Sequence, residues 1–393
     1  MRRLVTLFLV IPLLGAVAAP AMSQTSTDEL LSGMVTEEVE PGIYRVINDG
    51  VRDLGWGSAE DGPYDIVAGH DGSVWLFDWP HSSVRLGDGT EYDWVAASPD
   101  HAVDVTPDGS VWRIDTAGSI SSFDGRTWTQ HRPATNSDDE WNQSALKVGP
   151  DGMIWALSID GDLVCSDPTR AGCRHTVLTS LDGDRAPTTT QGWSELYDGA
   201  VAADALTVSP DGEVWLVGVR GTQTSGAVEV LLRYDGQAWQ VVEVPDGLRN
   251  AWAGQSFDIG ADGTLWAAAF DLSADGDSLA RLDDAGWTVF SDADGVQRWG
   301  TDGFIPTDHL HVAADGSVWV NAEGAGVSCG GVADFDGSTW TRYLEDLCVH
   351  DMDIAPDGAV WVRASDFKRS GGFEYWDPPG LYVITPEAVA GTE

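Results

Sequence analysis

The stretch Val105-Thr106-Pro107-Asp108-Gly109-Ser110-Val111-Trp112 decides how this chain folds. Proline presets the backbone for a turn, the aspartate side chain caps it, and glycine supplies the positive φ that closes a hairpin. Apolar residues alternate with others on both sides, the period of two that a strand requires. The same Asp-Gly pair with a tryptophan four residues after the aspartate recurs seven times, starting at Asp71, Asp108, Asp151, Asp211, Asp262, Asp315 and Asp357 and ending in Trp75, Trp112, Trp155, Trp215, Trp266, Trp319 and Trp361. The spacings of 37, 43, 60, 51, 53 and 42 residues fall in or near the range of propeller blades.

A second hairpin follows in most units: Phe123-Asp124-Gly125-Arg126-Thr127-Trp128, Tyr234-Asp235-Gly236-Gln237-Ala238-Trp239 and Phe335-Asp336-Gly337-Ser338-Thr339-Trp340, with a looser turn between Leu282 and Trp287. Two hairpins make four antiparallel strands, which is one blade. The expectation is an all-β chain, a seven-bladed β-propeller of four-stranded antiparallel blades. In the second blade the strands are predicted from Ala102 to Thr106, Ser110 to Ile114, Ile120 to Phe123 and Thr127 to His131; the sixth runs from Leu310 to Tyr343. The seven repeated tryptophans read as wedges between blades, each contributing up to about 5 kcal/mol by burying roughly 200 Å² of indole. An N-terminal strand within Gly42 to Ile47 is expected to complete the blade that carries Asp357, so that no sheet edge is left open at the seam.

Closed all-β architectures run long as single units, so the 393 residues are read as a signal peptide (1–23), a flexible acidic lead (24–41), one propeller domain (42–386) and a C-terminal tail (387–393). Arg2 and Arg3, the apolar run from Leu4 to Ala19 and the small residues around Ala21 and Ser23 make up the Sec-type signal. No later stretch reads as a membrane span, and the mature protein is expected outside the cytoplasmic membrane, as a monomer. Without Arg2 and Arg3 the chain has 19 basic and 63 acidic residues, a net charge of −44. Such a surface repels nucleic acid and anionic lipid and favours neutral or cationic ligands.

Four cysteines in an exported chain read as disulfides. Cys165 and Cys173 flank the hairpin of the third unit, which lacks the second Asp-Gly turn; Cys329 and Cys348 lie in connections that open on one face. The expected pairs are Cys165 with Cys173 and Cys329 with Cys348.

The sixth unit, Ala-Asp-Gly-Ser-Val-Trp-Val from Ala314 followed by Gly-Val-Ala-Asp-Phe-Asp-Gly-Ser-Thr-Trp-Thr from Gly331, resembles the repeats of two-component-regulator-type sensor propellers. It is more distantly similar to the NHL and virginiamycin B lyase propellers. What the resemblance implies is a seven-bladed extracytoplasmic binding scaffold; the signalling domains fused to such sensors have no counterpart in this sequence. Sialidase Asp boxes place one residue between Asp and Gly, whereas Ser209-Pro210-Asp211-Gly212 has none.

Aligned on Asp-Gly, the position four before the aspartate reads Val67, Asp104, Lys147, Thr207, Asp258, His311 and Asp353, and two residues earlier it reads Asp65, Ala102, Ala145, Ala205, Ser256, His309 and Asp351. The positions between them are apolar, so the innermost strands turn a polar row toward a central channel. Asp65, Asp104, Lys147, Asp258, His309, His311, Asp351 and Asp353 are therefore the candidate channel lining. Carboxylates beside imidazoles can hold a divalent cation, Ca²⁺ or Mg²⁺, with His309, His311 and Asp353 as candidate ligands, although the fold itself requires no cofactor. The lyase resemblance implies histidines and a glutamate around a channel-mouth metal; His309 and His311 match it, and the glutamate has no counterpart.

Trp56, Trp141, Trp193, Trp252 and Trp299 lie in the connections between units, amid polar and acidic residues such as Asp138-Asp139-Glu140-Trp141-Asn142-Gln143. Indoles beside carboxylates suit sugars or organic cations. The sequence has no nucleophile elbow, no His-Glu-x-x-His and no phosphate-cradling loop, so no catalytic residue is assigned. The function expected is an exported binding or interaction module that recognises a small molecule, carbohydrate or protein on its loop face and channel mouth. The alternative is a metal-dependent lyase or lactonase-like enzyme with its site in the channel.

Overall fold

The computed structural model describes residues 26–32, 34–47, 65–78, 82–85, 90–93, 100–115, 118–133, 145–160, 175–182, 188–190, 201–222, 226–245, 257–269, 278–290, 309–323, 329–370, 373–376 and 380–390. Among them the strands form six four-stranded antiparallel sheets and one six-stranded sheet. In the first sheet Asp65–Ala68, Val74–Asp78, Ser82–Arg85 and Thr90–Asp93 pair in sequence order; in the second, Asp100–Val105, Val111–Asp115, Ile120–Phe123 and Trp128–Arg132 do so. The third to sixth sheets repeat the pattern, starting from the strands Ala145–Val148, Val201–Val208, Phe257–Ile259 and Leu310–Val312.

The repeated turn folds as its chemistry dictates. All seven glycines after the repeated aspartates have positive φ, from 78° at Gly72 to 91° at Gly316. The aspartate accepts from the amide two residues on, as Asp71 Oδ1 does from Ser73 N at 2.9 Å and Asp151 Oδ1 from Met153 N at 2.9 Å. The tryptophans that follow are buried, Trp155 most exposed at 9 % and Trp361 at 0 %. They join clusters that bridge neighbouring sheets: Trp266 of the fifth packs with Leu310, Val318 and Phe335 of the sixth, and Trp361 of the seventh with Ile66, Val74 and Leu76 of the first.

The seventh sheet gathers both ends of the chain. Leu347–Ile354 and Val360–Ser370 pair as the repeat predicts, Gly380–Ile384 lies beside them, and the far end of Val360–Ser370 also pairs with Phe373–Trp376. Two N-terminal strands, β1 (Thr36–Glu40) and β2 (Ile43–Val46), extend it, with Ile43 opposite Ile384 and Val46 opposite Leu381.

Where the structure describes the segment expected as a flexible acidic lead, at residues 26–32 and 34–41, it holds a helix and a strand. Thr27–Ser32 is a helix whose first residue is fixed by the repeated aspartate of the seventh sheet: Thr27 N donates to Asp357 Oδ2 at 2.6 Å and Thr27 Oγ1 to Oδ1 at 3.0 Å. Leu30 then inserts among Ile66, Leu76, Trp361 and Val383. A single buried leucine and one helix cap outweigh the local polarity that suggested a loose tail. Past the last strand, Pro386–Ala390 forms a short helix seated against Gly42; a Cβ there would lie 2.7 Å from Ala388 Cβ, and φ is +74°. No helix among the described residues is long and apolar enough to cross a membrane.

Candidate functional site

The innermost strands of the seven sheets surround one cavity of about 180 Å³. Period-two alternation sends Ile66, Leu146, Leu206, Phe257, Leu310 and Met352 into the inter-sheet cores and leaves the residues on either side facing inward. Val67, Asp104, Lys147, Thr207, Asp258, His311 and Asp353 all line the cavity, as do Ala102, Ala145, Ala205, His309 and Asp351. Asp65 begins the first innermost strand, but its side chain lies outside the described residues.

The carboxylates of this lining are occupied by backbone. Asp353 Oδ1 accepts from Ile354 N at 2.8 Å and its Oδ2 accepts from Ala68 N of the first sheet at 2.8 Å. Asp104 repeats the arrangement between the second and third sheets, taking Val105 N and Val148 N, each at 2.8 Å. Asp351 takes Met352 N at 2.8 Å and Ile66 N at 2.5 Å. Asp258 Oδ2 takes Val312 N of the sixth sheet at 3.0 Å, while its Oδ1 accepts from Thr207 Oγ1 of the fourth at 3.1 Å. Innermost strands have an open edge whose N–H groups face the channel, and each aspartate satisfies such a group on the next sheet. The sequence marked the row but not this use, because the acceptor geometry depends on the spacing between sheets.

The charged groups of the channel shift one another. Burial raises the Asp104 carboxyl above its ordinary range, against the opposing pull of Lys147 and of the Val148 and Val105 amides. Burial alone would lower the Lys147 ammonium, but Asp104, Asp353, Asp258 and Asp351 together hold it above its ordinary value. Lys147 is exposed to the channel, and the surrounding carboxylates favour its charged form. Burial, partly opposed by the Ile66 amide, pushes Asp351 up to about 7.

The proposed ligand set His309, His311 and Asp353 does not converge on one point. His309 Nδ1 sits 3.4 Å from Asp351 Oδ1, and His311 Nδ1 sits 3.5 Å from Asp353 Oδ1, so each imidazole faces its own carboxylate. Among the described residues no three His, Cys, Asp or Glu side chains form a group that could hold a metal ion. Donating backbone amides have already directed the carboxylate lone pairs toward the neighbouring strand.

Two features were not legible in the motifs. Asn321, wholly buried, accepts from His309 N at 3.3 Å and donates its own N–H to His309 O at 3.3 Å, fixing the start of that strand. His350, at a register shift between Val349 and Asp351, pairs with Ser365 Oγ at 2.7 Å; burial, then Arg363, lowers its pKa to about 4. The five inter-unit tryptophans, Trp56, Trp141, Trp193, Trp252 and Trp299, lie outside the described residues, as do Cys165 and Cys173. Cys348 is buried and disulfide-bonded.

No known protein family matches the chain, and no curated protein matches it by sequence. Solved structures do resemble it. An oligogalacturonate lyase in complex with manganese superposes with a TM-score of 0.58 at 12 % identity, covering 91 % of this chain and 97 % of that one. The protein YCF48 bound to D1 peptide gives 0.50 at 13 % identity, covering 94 % and 99 %. The chain has a β-propeller fold. Hydrazine synthase of Kuenenia stuttgartiensis gives 0.52 at 12 % identity, covering 81 % and 96 %. At these identities the likeness is one of fold alone.

Proposed function

We propose that the seven sheets are the blades of one seven-bladed ring closed by β2, and that the protein is an exported, monomeric binding module of the sensor-propeller kind. It recognises a small neutral or cationic ligand, a carbohydrate or a protein on its loop face. The observation that carries this reading is the engagement of Asp104, Asp258, Asp351 and Asp353 by backbone groups of neighbouring sheets. A channel whose carboxylates stitch sheets together, and whose cavity of about 180 Å³ falls below the roughly 300–1,000 Å³ of typical small-molecule sites, leaves recognition to the loops. There Trp56, Trp141, Trp193, Trp252 and Trp299 supply stacking surface beside acidic residues. The ring closure is supported by Asp353 reaching Ala68 and by β2 pairing with Gly380–Ile384. The Sec-type leader, the acidic surface that disfavours nucleic acid and the disulfides Cys165–Cys173 and Cys329–Cys348 belong to the same proposal.

A second reading, a divalent-cation-dependent lyase or lactonase, rests on the His309–Asp351 and His311–Asp353 pairs side by side in the channel, and on one structural neighbour having been solved with manganese. Thermal unfolding of the mature protein with EDTA, with Ca²⁺, Mg²⁺ or Mn²⁺, and with a panel of sugars separates the two. Binding at 100 times Kd raises stability by about 2.7 kcal/mol. The binding-module reading expects no response to chelator, and a midpoint raised by a sugar that Trp141→Ala or Trp193→Ala abolishes. A midpoint that falls with EDTA and returns with one cation would overturn it in favour of the enzyme.

A further inference from the structure

A second cavity of about 470 Å³ lies away from the channel, where the outer edge of the seventh sheet meets the link from the sixth. One wall is Arg342, Leu344, Leu347 and the carboxylates of Glu345 and Asp346; the other includes Val39, Glu40 and Tyr382. Cross-strand pairing puts Tyr382, Arg45 and Glu37 in one row on the face toward this groove, with Arg45 stacked over the Tyr382 ring at 5.9 Å.

The groove runs beside an open sheet edge. β1 pairs only with β2 among the described residues. Ile47 N donates to Val35 O at 2.7 Å, so by antiparallel alternation the N–H and C=O of Thr36 and Glu38 point to the open side. Of five exposed large apolar side chains among the described residues, three sit on this hairpin: Val35 at 60 %, Val39 at 43 % and Ile47 at 44 % exposure. An edge with free hydrogen-bonding direction, apolar side chains and an adjoining groove is the geometry of strand addition.

Charge selects the occupant. Glu37, Glu38 and Glu40 on β1, with Glu345 and Asp346 across the groove, would face their own copies if two chains paired edge to edge, and like charges directly opposite are destabilising. We infer that this edge and groove dock an extended segment of a partner protein in which basic and apolar residues alternate, the basic side chains meeting the glutamates and the apolar ones entering between Leu344, Leu347 and Val39.

The test uses the mature protein and three fluorescein-labelled eight-residue peptides, alternating Lys-Val, Glu-Val and Lys-Pro, read by anisotropy at low salt. Lys-Pro carries the same charge, but half of its residues lack an N–H and the proline rings hold it in polyproline II rather than in a strand. Two variants are compared, Val39→Arg in the groove and Val241→Arg, an equally exposed valine at 45 % on the fourth sheet, with thermal midpoints confirming that both fold. The expected result is binding of Lys-Val alone, at least ten-fold weaker on Val39→Arg and within two-fold of wild type on Val241→Arg. Equal weakening on both variants, or equal binding of Lys-Pro, would reduce the effect to general attraction to an acidic surface and overturn the inference. Binding of Glu-Val, or of no peptide, would overturn it as well.

Discussion

Replacing Asp353 by alanine removes two acceptors where the seventh sheet meets the first. Its carboxylate holds the Ile354 and Ala68 amides, each at 2.8 Å, and faces His311 at 3.5 Å. A hydrogen bond to a charged group contributes about 1.5–3 kcal/mol, and the side chain is 22 % exposed, so channel water can replace part of what is lost. The expected cost is therefore about 2–4 kcal/mol, a large fraction of the roughly 5–15 kcal/mol that holds a domain folded. Asn keeps the shape and one oxygen but turns an N–H toward one of the two donors, for about 1–2 kcal/mol. The control is Glu345→Gln, whose 64 % exposed carboxylate lies 3.9 Å from Arg342 and should change stability by less than about 0.5 kcal/mol. Urea unfolding gives the ordering, and hydrogen exchange at the Ala68 amide reads the seam directly, since a domain this long need not unfold in one step. A cost for Asp353→Ala no greater than the control's, or wild-type exchange at the Ala68 amide in the alanine variant, would show that Asp353 does not stitch the two sheets.

Asp334, opposite Trp319 in the sixth sheet and 6 % exposed, has its carboxyl pushed up to about 7 by burial and then by the charge of Asp315. The folded state keeps a proton that the unfolded chain releases near pH 4, so stability should fall as pH rises from about 4 to 7; Asp334→Asn should flatten that slope in a denaturation series and stabilise by at most about 4 kcal/mol at pH 8, with almost no effect at pH 4. Gly42→Val forces a β-branched residue to positive φ and into Ala388, and should lower stability by roughly 2–4 kcal/mol, with earlier proteolytic release of the C-terminal helix; an unchanged cleavage pattern would contradict the close approach.

What the sequence made legible follows from how local the cause is. An Asp-Gly turn is decided by one capping side chain and one positive φ, so all seven were readable, and the tryptophan that follows each is buried because strand alternation carries it inward. The Ile120–Phe123 strand matched its expectation, while its neighbour ran from Trp128 to Arg132 rather than from Thr127, since the turn glycine leaves one residue free to join either side. The channel row was legible by the same alternation. Its purpose was not: whether Asp104 binds an ion or the Val148 amide depends on the distance to the next sheet, which no short window encodes. The helix at Thr27–Ser32 was missed because its anchors are distant in sequence: Asp357, and a pocket around Leu30 shared by Ile66 and Leu76 of the first sheet and Trp361 and Val383 of the seventh.

Six of the sheets are assembled from neighbours in sequence, so each can form as soon as its own stretch of chain is available. The seventh cannot. Its closing contacts join residues 330 and 343 positions apart, Thr27 with Asp357 and Gly42 with Thr385. Loop closure over that length costs about 5 kcal/mol by the logarithmic scaling of chain entropy, against a fraction of that for a hairpin. The residues around Thr27 and Gly42 thus wait for the segment from Asp357 to Thr385 before they find their places. A chain lacking residues 26–47 would keep six well-formed sheets and lose the clasp that Thr27 and Leu30 form between the first and the last, exposing apolar surface on both.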